Sequence, residues 1–143
     1  MNVTTILATK GRDVATVSPT ATVGEAVKIL ADRKIGALII TGAGGRLTGI
    51  VSERDIVRAF ARHGASALQL PLNDVMTRKV VSCGPDDSIG NLMELMTTGK
   101  FRHLPVVDES GLAGIVSIGD VVKSRLAELE TEQTALRDYI QSA

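Results

Sequence analysis

The chain carries one sequence unit twice. The string GIVSERD at 49–55 recurs as GIVSIGD at 114–120, and Pro19 recurs as Pro85. The first offset is 65 positions and the second is 66, so a unit of roughly sixty residues is repeated with one gap. A repeated pattern predicts a repeated supersecondary structure, and two copies in 143 residues fit one compact domain or two small ones.

Each copy predicts the order β-α-β-β-α. Residues 14–17 predict a short strand, and Thr22, with Glu25 three positions later, predicts a capped helix start. The apolar residues at 37–40 and the string LTGIV, joined by a Gly-rich turn, predict a hairpin, and a second helix begins at Ser52. The helix faces expected in the core are Val23, Ala26, Val27, Leu30 and Ala31 in the first copy, and Ile89, Leu92, Met93 and Met96 in the second.

Two residues of the second copy predict local boundaries. Gly99 predicts the stop of its first helix, because glycine accepts the left-handed conformation that ends many helices. Pro105 lies inside a strand and has no N–H, which predicts an edge or strand-start position. The predicted fold class is α/β (α+β): two β-α-β-β-α repeats with an N-terminal segment and a long C-terminal helix.

Composition limits the function classes. Lys and Arg total 16 and Asp and Glu total 16, whereas nucleic-acid-binding proteins usually carry a basic excess, so no nucleic-acid partner is expected. The chain is 44% apolar but only 2% aromatic, so the core is built of aliphatic side chains and Met. The single cysteine, Cys83, excludes an internal disulfide and suits a reducing cytoplasm. The first residues do not resemble a signal peptide, and no apolar stretch approaches the roughly 20 residues of a membrane span. We therefore expect a cytoplasmic protein with no membrane partner.

The repeated Ser-x-x-Asp has two compatible interpretations. As a helix start, Ser52 caps the first turn and Asp55 favours the positive end of the helix. As a binding site, the N–H groups and the hydroxyl of such a helix start can bind a phosphate, and the carboxylate can accept from two ribose hydroxyls. A cap alone does not require Asp at the same offset in both copies, so the recurrence favours a ligand site built on the cap.

Together these features resemble a tandem pair of cystathionine-β-synthase-type (CBS) domains, the Bateman module. The resemblance rests on the doubled GIVSxxD, on DVMT at 74–77 and on RHLPVVD at 102–108, and it covers about residues 8–128. The chain is most similar to the small stand-alone bacterial members. The resemblance implies two repeats packed as a pseudo-twofold pair, with CBS domain 1 at 8–64, a linker at 65–73, CBS domain 2 at 74–128 and a C-terminal helix extension at 129–143.

The resemblance also implies two clefts between the repeats that bind an adenosine-containing ligand, AMP first and ADP, ATP, NAD(H) or S-adenosylmethionine as alternatives. By position, Asp55 and Asp120 would hold the ribose hydroxyls, and Ser52 and Ser117 would lie by the phosphate or ribose. The strand ends that would offer backbone groups to the adenine edge are Thr16, Val17, Ser18 and Pro19, and Ser82, Cys83, Gly84 and Pro85. The residues that would line its faces are Ile35, Ala37, Phe101, Leu104 and Ile118, with Gly36 and Pro105 beside them.

The two copies differ in their cationic residues. Arg54 precedes the aspartate of the first copy, whereas Arg102 and His103 stand at the second strand of the second copy. We hypothesise that these three side chains converge on the ligand phosphates. The alternatives are a solvated helix residue for Arg54 and a packed side chain for His103.

Enzyme activity is not expected. Ser52 has no base implied nearby, and the second copy keeps the serine without the partners that a triad needs. Cys83 precedes Gly84-Pro85 and is interpreted as a small turn residue rather than a reactive thiol. His63, His103 and one cysteine do not make a metal site. CBS pairs also occur inside inosine-monophosphate dehydrogenase, but its catalytic barrel would need roughly 250 further residues.

The C-terminal segment predicts a helix with a seam at alternating spacings of four and three, which is a coiled-coil pattern. The seam positions are Val122, Leu126, Leu129, Gln133, Leu136 and Ile140. A helix that packs on its own domain is the alternative, and the N-terminal Val3, Ile6 and Leu7 are expected to pack in that way. The family implies a homodimer. The predicted function is a non-catalytic adenine-nucleotide sensor that signals to an unidentified protein partner through a conformational change. The alternative is a structural dimerisation or interaction adaptor whose clefts bind no ligand.

Overall fold

The computed structural model of the chain describes residues 1–142. The α-helices are α1 (Val3–Lys10), α2 (Val23–Arg33), α3 (Glu53–His63), α4 (Leu72–Val75), α5 (Ile89–Gly99) and α6 (Ile118–Ser142). The strands are β1 (Thr16–Val17), β2 (Ala37–Thr41), β3 (Leu47–Ser52), β4 (His103–Asp108) and β5 (Gly111–Ser117). Short 3-10 turns cover Ala43–Gly45 and Gly64–Gln69. The mixed α/β class predicted from the sequence is confirmed.

The described chain forms two compact units. The N-unit comprises Asp13–Val81, and the C-unit comprises Met1–Arg12 together with residues 82–142. Helix α1 therefore belongs to the unit of the second repeat, although it precedes the first. The segment with α4 belongs to the unit of the first repeat.

The N-unit is a three-stranded sheet covered by helices. Its strand order is β1-β2-β3, with β1 parallel and β3 antiparallel to β2, which confirms the predicted hairpin. The Glu25 N–H donates to Thr22 Oγ1 at 3.1 Å and so caps α2 as predicted. The buried core is formed by Val23, Ala26, Leu30, Leu38, Ile40, Val51, Ile56 and Leu72.

The C-unit has a two-stranded antiparallel sheet, β4-β5, and its first strand is reduced to a single parallel bridge between Cys83 and Val106. In the N-unit, the Ile39 N–H donates to the Ala15 carbonyl at 3.1 Å. Pro105 occupies the matching position of the C-unit and has no N–H, so the equivalent bond cannot form. The Pro105 carbonyl accepts from the Cys83 N–H at 2.9 Å, so this carbonyl points towards Cys83 and away from β5.

The repeated GIVS string begins with glycine because another segment packs directly on it. A Cβ at Gly49 would lie 2.7 Å from Met76 Sδ, and a Cβ at Gly114 would lie 2.8 Å from Leu7 Cδ2. In each unit, an apolar side chain from a segment outside the hairpin thus packs on the last strand. The N-terminal apolar residues are buried as expected, within a C-unit core formed by Val3, Ile6, Leu7, Cys83, Ile89, Leu92, Met96, Leu104, Val106, Ala113, Val116 and Val121.

Helix α5 ends differently from the prediction. Gly99 still lies in the last helical turn, and Lys100 adopts the left-handed conformation with φ of 58°. The prediction that Gly99 forms the left-handed stop is therefore wrong. Gly99 is required by space, because a Cβ there would collide with the Phe101 ring. Lys34 ends α2 in the same way as Lys100, with φ of 55°.

Helix α6 continues without a break from Ile118 to Ser142, and residues 131–142 are exposed throughout. The end of the helix therefore does not pack on its own chain, which was one of the two alternatives. The apolar seam positions Val122, Leu126, Leu129, Leu136 and Ile140 are between 43% and 64% exposed. None of the helices in residues 1–142 combines the length and the apolar character that crossing a membrane requires.

Candidate functional site

The N-unit places Ser52 and Asp55 at the junction of β3 and α3. The Ser52 N–H and Oγ both donate to Asp55 Oδ2, at 2.9 and 3.1 Å. The second carboxylate oxygen, Oδ1, accepts from Thr77 Oγ1 at 3.1 Å. The predicted cap is therefore present as a capping box, and these three donors are uncharged.

The C-unit repeats the cap and changes one partner. The Ser117 N–H donates to Asp120 Oδ2 at 2.8 Å, and the Asp120 N–H donates to Ser117 Oγ at 3.2 Å. Lys10, the last residue of α1, places Nζ 2.6 Å from Asp120 Oδ2. The same ammonium group donates to the Ile115 carbonyl at 2.9 Å. Asp120 thus faces a cation, whereas Asp55 faces a neutral hydroxyl.

The ion pair with Lys10 helps to lower the pKa of Asp120. Burial by itself raises the pKa of this carboxyl, but the hydrogen bond and charge of Lys10 and the hydrogen bonds of Ser117 outweigh it. The pKa is consequently lowered below its usual value of 3.8, and the carboxylate is ionised at neutral pH. The side chains of Lys10 and Asp120 are 34% and 25% exposed, so a small ligand can reach the pair.

Each helix start is also hydrogen-bonded to the residue that precedes the first strand of the hairpin. The Glu53 N–H donates to the Gly36 carbonyl at 3.1 Å, and the Ile118 N–H donates to the Arg102 carbonyl at 2.8 Å. In the strand register, Ala37 pairs with Ser52, and His103 pairs with Ser117. The structure therefore brings the predicted residues of these two segments together within each unit.

The segments after the first strand of each repeat are partly committed to other contacts. The Pro19 carbonyl accepts from the Asn73 N–H at 2.9 Å, and the Pro85 carbonyl accepts from the Thr4 N–H at 3.0 Å. The N–H and carbonyl of Cys83 both bond to β4. Among the remaining predicted positions, Val17 is half-buried and the exposed residues are Thr16, Ser18 and Ser82.

The apolar residues predicted to line the ligand differ in exposure. Ile118 is exposed, and Ile35 and Phe101 are half-buried against the cores of their units. Leu104 has no exposed area and lies in the C-unit core, and the predicted residues that are also buried are Ala37 and Pro105. Buried side chains of this kind position the strands rather than present a surface.

Other chemistry has little support in the described chain. Within residues 1–142, no three His, Cys, Asp or Glu side chains form a group able to hold a metal ion. Burial, and then the charge of Asp87, raise the pKa of the Cys83 thiol to about 12. The thiol is therefore protonated at neutral pH and is not a nucleophile, which favours the structural interpretation of Cys83.

Lys10 and Thr77, the two residues that reach the aspartates, have no role predicted from the sequence. Thr77 lies in the DVMT string, which was noted without a role. Lys10 follows Ile6 by one helical turn and so lies on the packed side of α1. That period predicts a contact with the C-unit, but it cannot identify a carboxylate 110 positions away.

The duplicated architecture is shared with known proteins. The family model of the CBS domain matches residues 7–62 and 72–127, which include both Ser-x-x-Asp helix starts. The chain belongs to the CBS domain family. It is 37% identical over 124 residues to the CBS domain-containing protein CBSX3, mitochondrial, of Arabidopsis thaliana. That match covers 84% of this chain and 60% of CBSX3, so the chain spans less than two thirds of this relative.

Solved structures of CBS-domain proteins have the same fold. The CBS-domain containing protein ATU1752 of Agrobacterium tumefaciens is 49% identical, with a TM-score of 0.84 over 87% of this chain and 92% of that one. The CBS domain protein PAE2072 of Pyrobaculum aerophilum, complexed with AMP, is 28% identical, with a TM-score of 0.78 over 92% and 99% of the two chains. The CBS domain pair of MJ0100, in complex with 5′-methylthioadenosine and S-adenosyl-L-methionine, is 26% identical, with a TM-score of 0.79 over 90% and 98%.

Proposed function

We propose that this CBS-domain chain is a non-catalytic regulatory module that binds an adenosine-containing ligand at its two Ser-x-x-Asp helix starts. AMP is the first candidate, and ADP, ATP and NAD(H) are the alternatives. The observation that carries the proposal is the duplicated cap, which holds a partly exposed carboxylate at the same strand–helix junction in both units. The adenosine ligands of PAE2072 and MJ0100 support the same ligand class.

The chemistry of the caps suits a ribose. A carboxylate accepts at about four positions, and a ribose presents two adjacent hydroxyl donors. The cap fixes the carboxylate in place, so a ligand does not have to order it. The residues proposed to contact phosphate are Arg54, Arg102 and His103. For the adenine edge we propose Thr16, Ser18 and Ser82, because they are the exposed residues of their segments.

The proposed mechanism is a shift of conformational populations. A ligand changes the balance of two states only by binding one of them more tightly. Both aspartates contact a segment outside their own helix, Thr77 in one unit and Lys10 in the other. Ligand binding at the aspartates would therefore change how these segments are held, and a protein partner would detect the change.

Thermal unfolding with a panel of AMP, ADP, ATP, NAD, NADH and S-adenosylmethionine tests the proposal. A ligand that binds the folded chain stabilises it by about 2.7 kcal/mol at a hundredfold excess over its Kd. We expect at least one member of the panel to raise the melting temperature, and the combined Asp55→Asn and Asp120→Asn variant to abolish the shift. Asp32→Asn, an exposed helix carboxylate, is the matched control. No shift with any ligand would instead favour the adaptor.

We also propose that the chain forms a homodimer through the seam of α6. The seam is apolar except at Gln133, it is exposed, and its alternating spacing is the one that lets two like helices interdigitate. We take a second copy of this chain as the partner, because an identical helix carries the same seam with the same spacing. The same face would serve the adaptor function.

Sedimentation equilibrium tests the dimer. The wild-type chain is expected at twice its 15.0 kDa mass, and the double variant Leu129→Glu with Leu136→Glu is expected at the monomer mass. The control is Glu130→Leu, which changes an exposed position outside the seam. A monomeric wild type at all concentrations would contradict the proposal.

A further inference from the structure

A cavity of about 420 Å³ lies between α1 and α6 of the C-unit. Its polar lining comes from both helices and consists of Thr5, Thr9, Lys10, Asp120, Lys123 and Ser124. The lining therefore contains two ammonium groups, one carboxylate and three hydroxyl groups. The lining carries net positive charge, which suits an anion.

Lys10 links this cavity to Asp120. Its ammonium group and the Ser117 N–H both bond to Oδ2 of the carboxylate. The ion pair and the backbone hydrogen bond of the cap therefore share the same carboxylate oxygen. A ribose diol that uses both carboxylate oxygens must therefore compete with Lys10.

We propose that the cavity between α1 and α6 binds the anionic group of an adenosine ligand whose ribose binds Asp120, and that Lys10 moves from Asp120 to that anion. This inference rests on the proposed function, and it makes the C-unit selective for ligand charge. With an anionic ligand such as AMP, Lys10 exchanges its ion pair with Asp120 for an ion pair with the phosphate. With an uncharged ligand such as 5′-methylthioadenosine, Lys10 loses the ion pair with Asp120 and gains none.

The experiment uses the full chain with Asp55→Asn, so that binding at the C-unit dominates. Titration calorimetry measures the Kd of AMP and of 5′-methylthioadenosine in 50 mM and 1 M NaCl. We expect AMP to bind at least about tenfold more tightly at low salt, the size of one charge-assisted hydrogen bond. That ratio is expected to fall towards one at high salt, where the Debye length is about 3 Å.

Substitution of Lys10 separates selectivity from a structural role. Lys10→Met is expected to weaken AMP binding and to leave or improve 5′-methylthioadenosine binding, because Asp120 is then released from its ion pair. Lys10→Arg, which keeps the charge, is expected to keep the preference for AMP. Lys28→Met removes the same charge from an exposed position on α2 and is expected to change neither Kd.

The outcomes separate this inference from the proposed function. Equal affinities for the two ligands at low salt, or equal losses of both in Lys10→Met, would overturn the role of Lys10 while adenosine binding stands. If neither ligand, nor any other of the panel, binds the wild-type chain, both the proposed function and this inference are wrong. If Lys10→Met does not fold, Lys10→Gln, which removes the charge and keeps a hydrogen-bond donor near the Ile115 carbonyl, takes its place, and an unchanged preference for AMP in that variant would overturn the inference.

Discussion

The two Ser-x-x-Asp helix starts share their backbone geometry and differ in the group that faces the carboxylate. The distance from the serine N–H to the aspartate oxygen is 2.9 Å in the N-unit and 2.8 Å in the C-unit. Yet Asp55 accepts from the Thr77 hydroxyl and Asp120 from the Lys10 ammonium. The repeated motif therefore determines where the carboxylate lies, and the neighbouring segment determines whether a charged or a neutral donor contacts it.

The largest expected loss of stability comes from exchanging Ile39 and Pro105, the matching residues that face the first strand of each unit. Ile39→Pro copies the C-unit proline into the N-unit, removes the bond from Ile39 N–H to the Ala15 carbonyl and replaces a fully buried side chain with a smaller one. We expect it to lower the free energy of unfolding by about 2–4 kcal/mol, measured in urea.

Two variants check the cause of that loss. Ile39→Val keeps the N–H and is expected to cost only about 0.5–1.5 kcal/mol. Pro105→Ile introduces an N–H at position 105 of the C-unit. We expect this new amide to exchange its hydrogen slowly, because it can then bond to the first strand. If Ile39→Val were as harmful as Ile39→Pro, the missing N–H would not explain the shortened strand.

The next effect concerns the glycines that begin the two GIVS strings. A Cβ at Gly49 would meet Met76 Sδ and also the Thr77 carbonyl at 3.0 Å, whereas a Cβ at Gly114 would meet only side-chain atoms of Leu7. Both Gly→Ala variants are expected to cost about 1–3 kcal/mol, and the cost is expected to be higher at Gly49, where backbone must move.

Gly90→Ala is the control for those two glycines. This position lies in α5, where a Cβ would meet nothing closer than 3.9 Å. Alanine there is expected to stabilise by up to about 1 kcal/mol, because it is the better helix former. Equal losses at all three positions would mean that the close approach to the last strands is not the reason for glycine.

The pairing of Lys10 with Asp120 predicts a pH dependence specific to the C-unit. The folded pKa of Asp120 is lowered, so the ion pair stabilises the chain fully above the unfolded pKa of about 3.9 and this contribution is lost as the pH falls through the folded pKa. Lys10→Met is expected to be less stable than wild type by at most about 1 kcal/mol at pH 7, because both side chains are partly exposed.

Unfolding curves between pH 7 and pH 3 check this window. The difference between wild type and Lys10→Met should be constant at neutral pH and shrink once Asp120 is protonated. Lys28→Met should run parallel to wild type over the whole range. A gap between wild type and Lys10→Met that persists unchanged at pH 3 would contradict the ion pair as its source.

The sequence specified the features that depend on nearby residues. The capped start at Thr22, the packed faces of α2 and α5 and the hairpins follow from local periodicity, and the structure confirms them. The exception is Ala31, which was predicted on the core face of α2 and is exposed. The repeat also identified both Ser-x-x-Asp helix starts. Pro105 predicted an edge or strand-start position for its own strand, and the shortened first strand of the C-unit was not predicted.

The failures come from side-chain contacts that periodicity does not encode, one between near neighbours in the chain and one between distant segments. Gly99 was read as a left-handed stop, but the ring of Phe101 takes the space beside it and Lys100 makes the turn. Lys10 pairs with a carboxylate 110 positions away, and no local pattern encodes that partner. The partner of each aspartate was thus the part of the candidate site that sequence could not supply, because a different segment contributes it in each unit.

The last expected effect is at Cys83, which matches Val17 of the first repeat. Burial and Asp87 raise the pKa of the Cys83 thiol to about 12, so the native chain is expected to resist alkylation by iodoacetamide at pH 8, whereas the urea-unfolded chain should react readily. Cys83→Val copies the N-unit residue into a core position of similar size and is expected to change stability by less than about 1.5 kcal/mol. Rapid alkylation of the native chain would show that the thiol is accessible and would reopen the reactive interpretation. Slow alkylation with a stable valine variant would instead show that both repeats use this position for packing, so that Cys83 does not add to the differences at Pro105 and at the groups that face the aspartates.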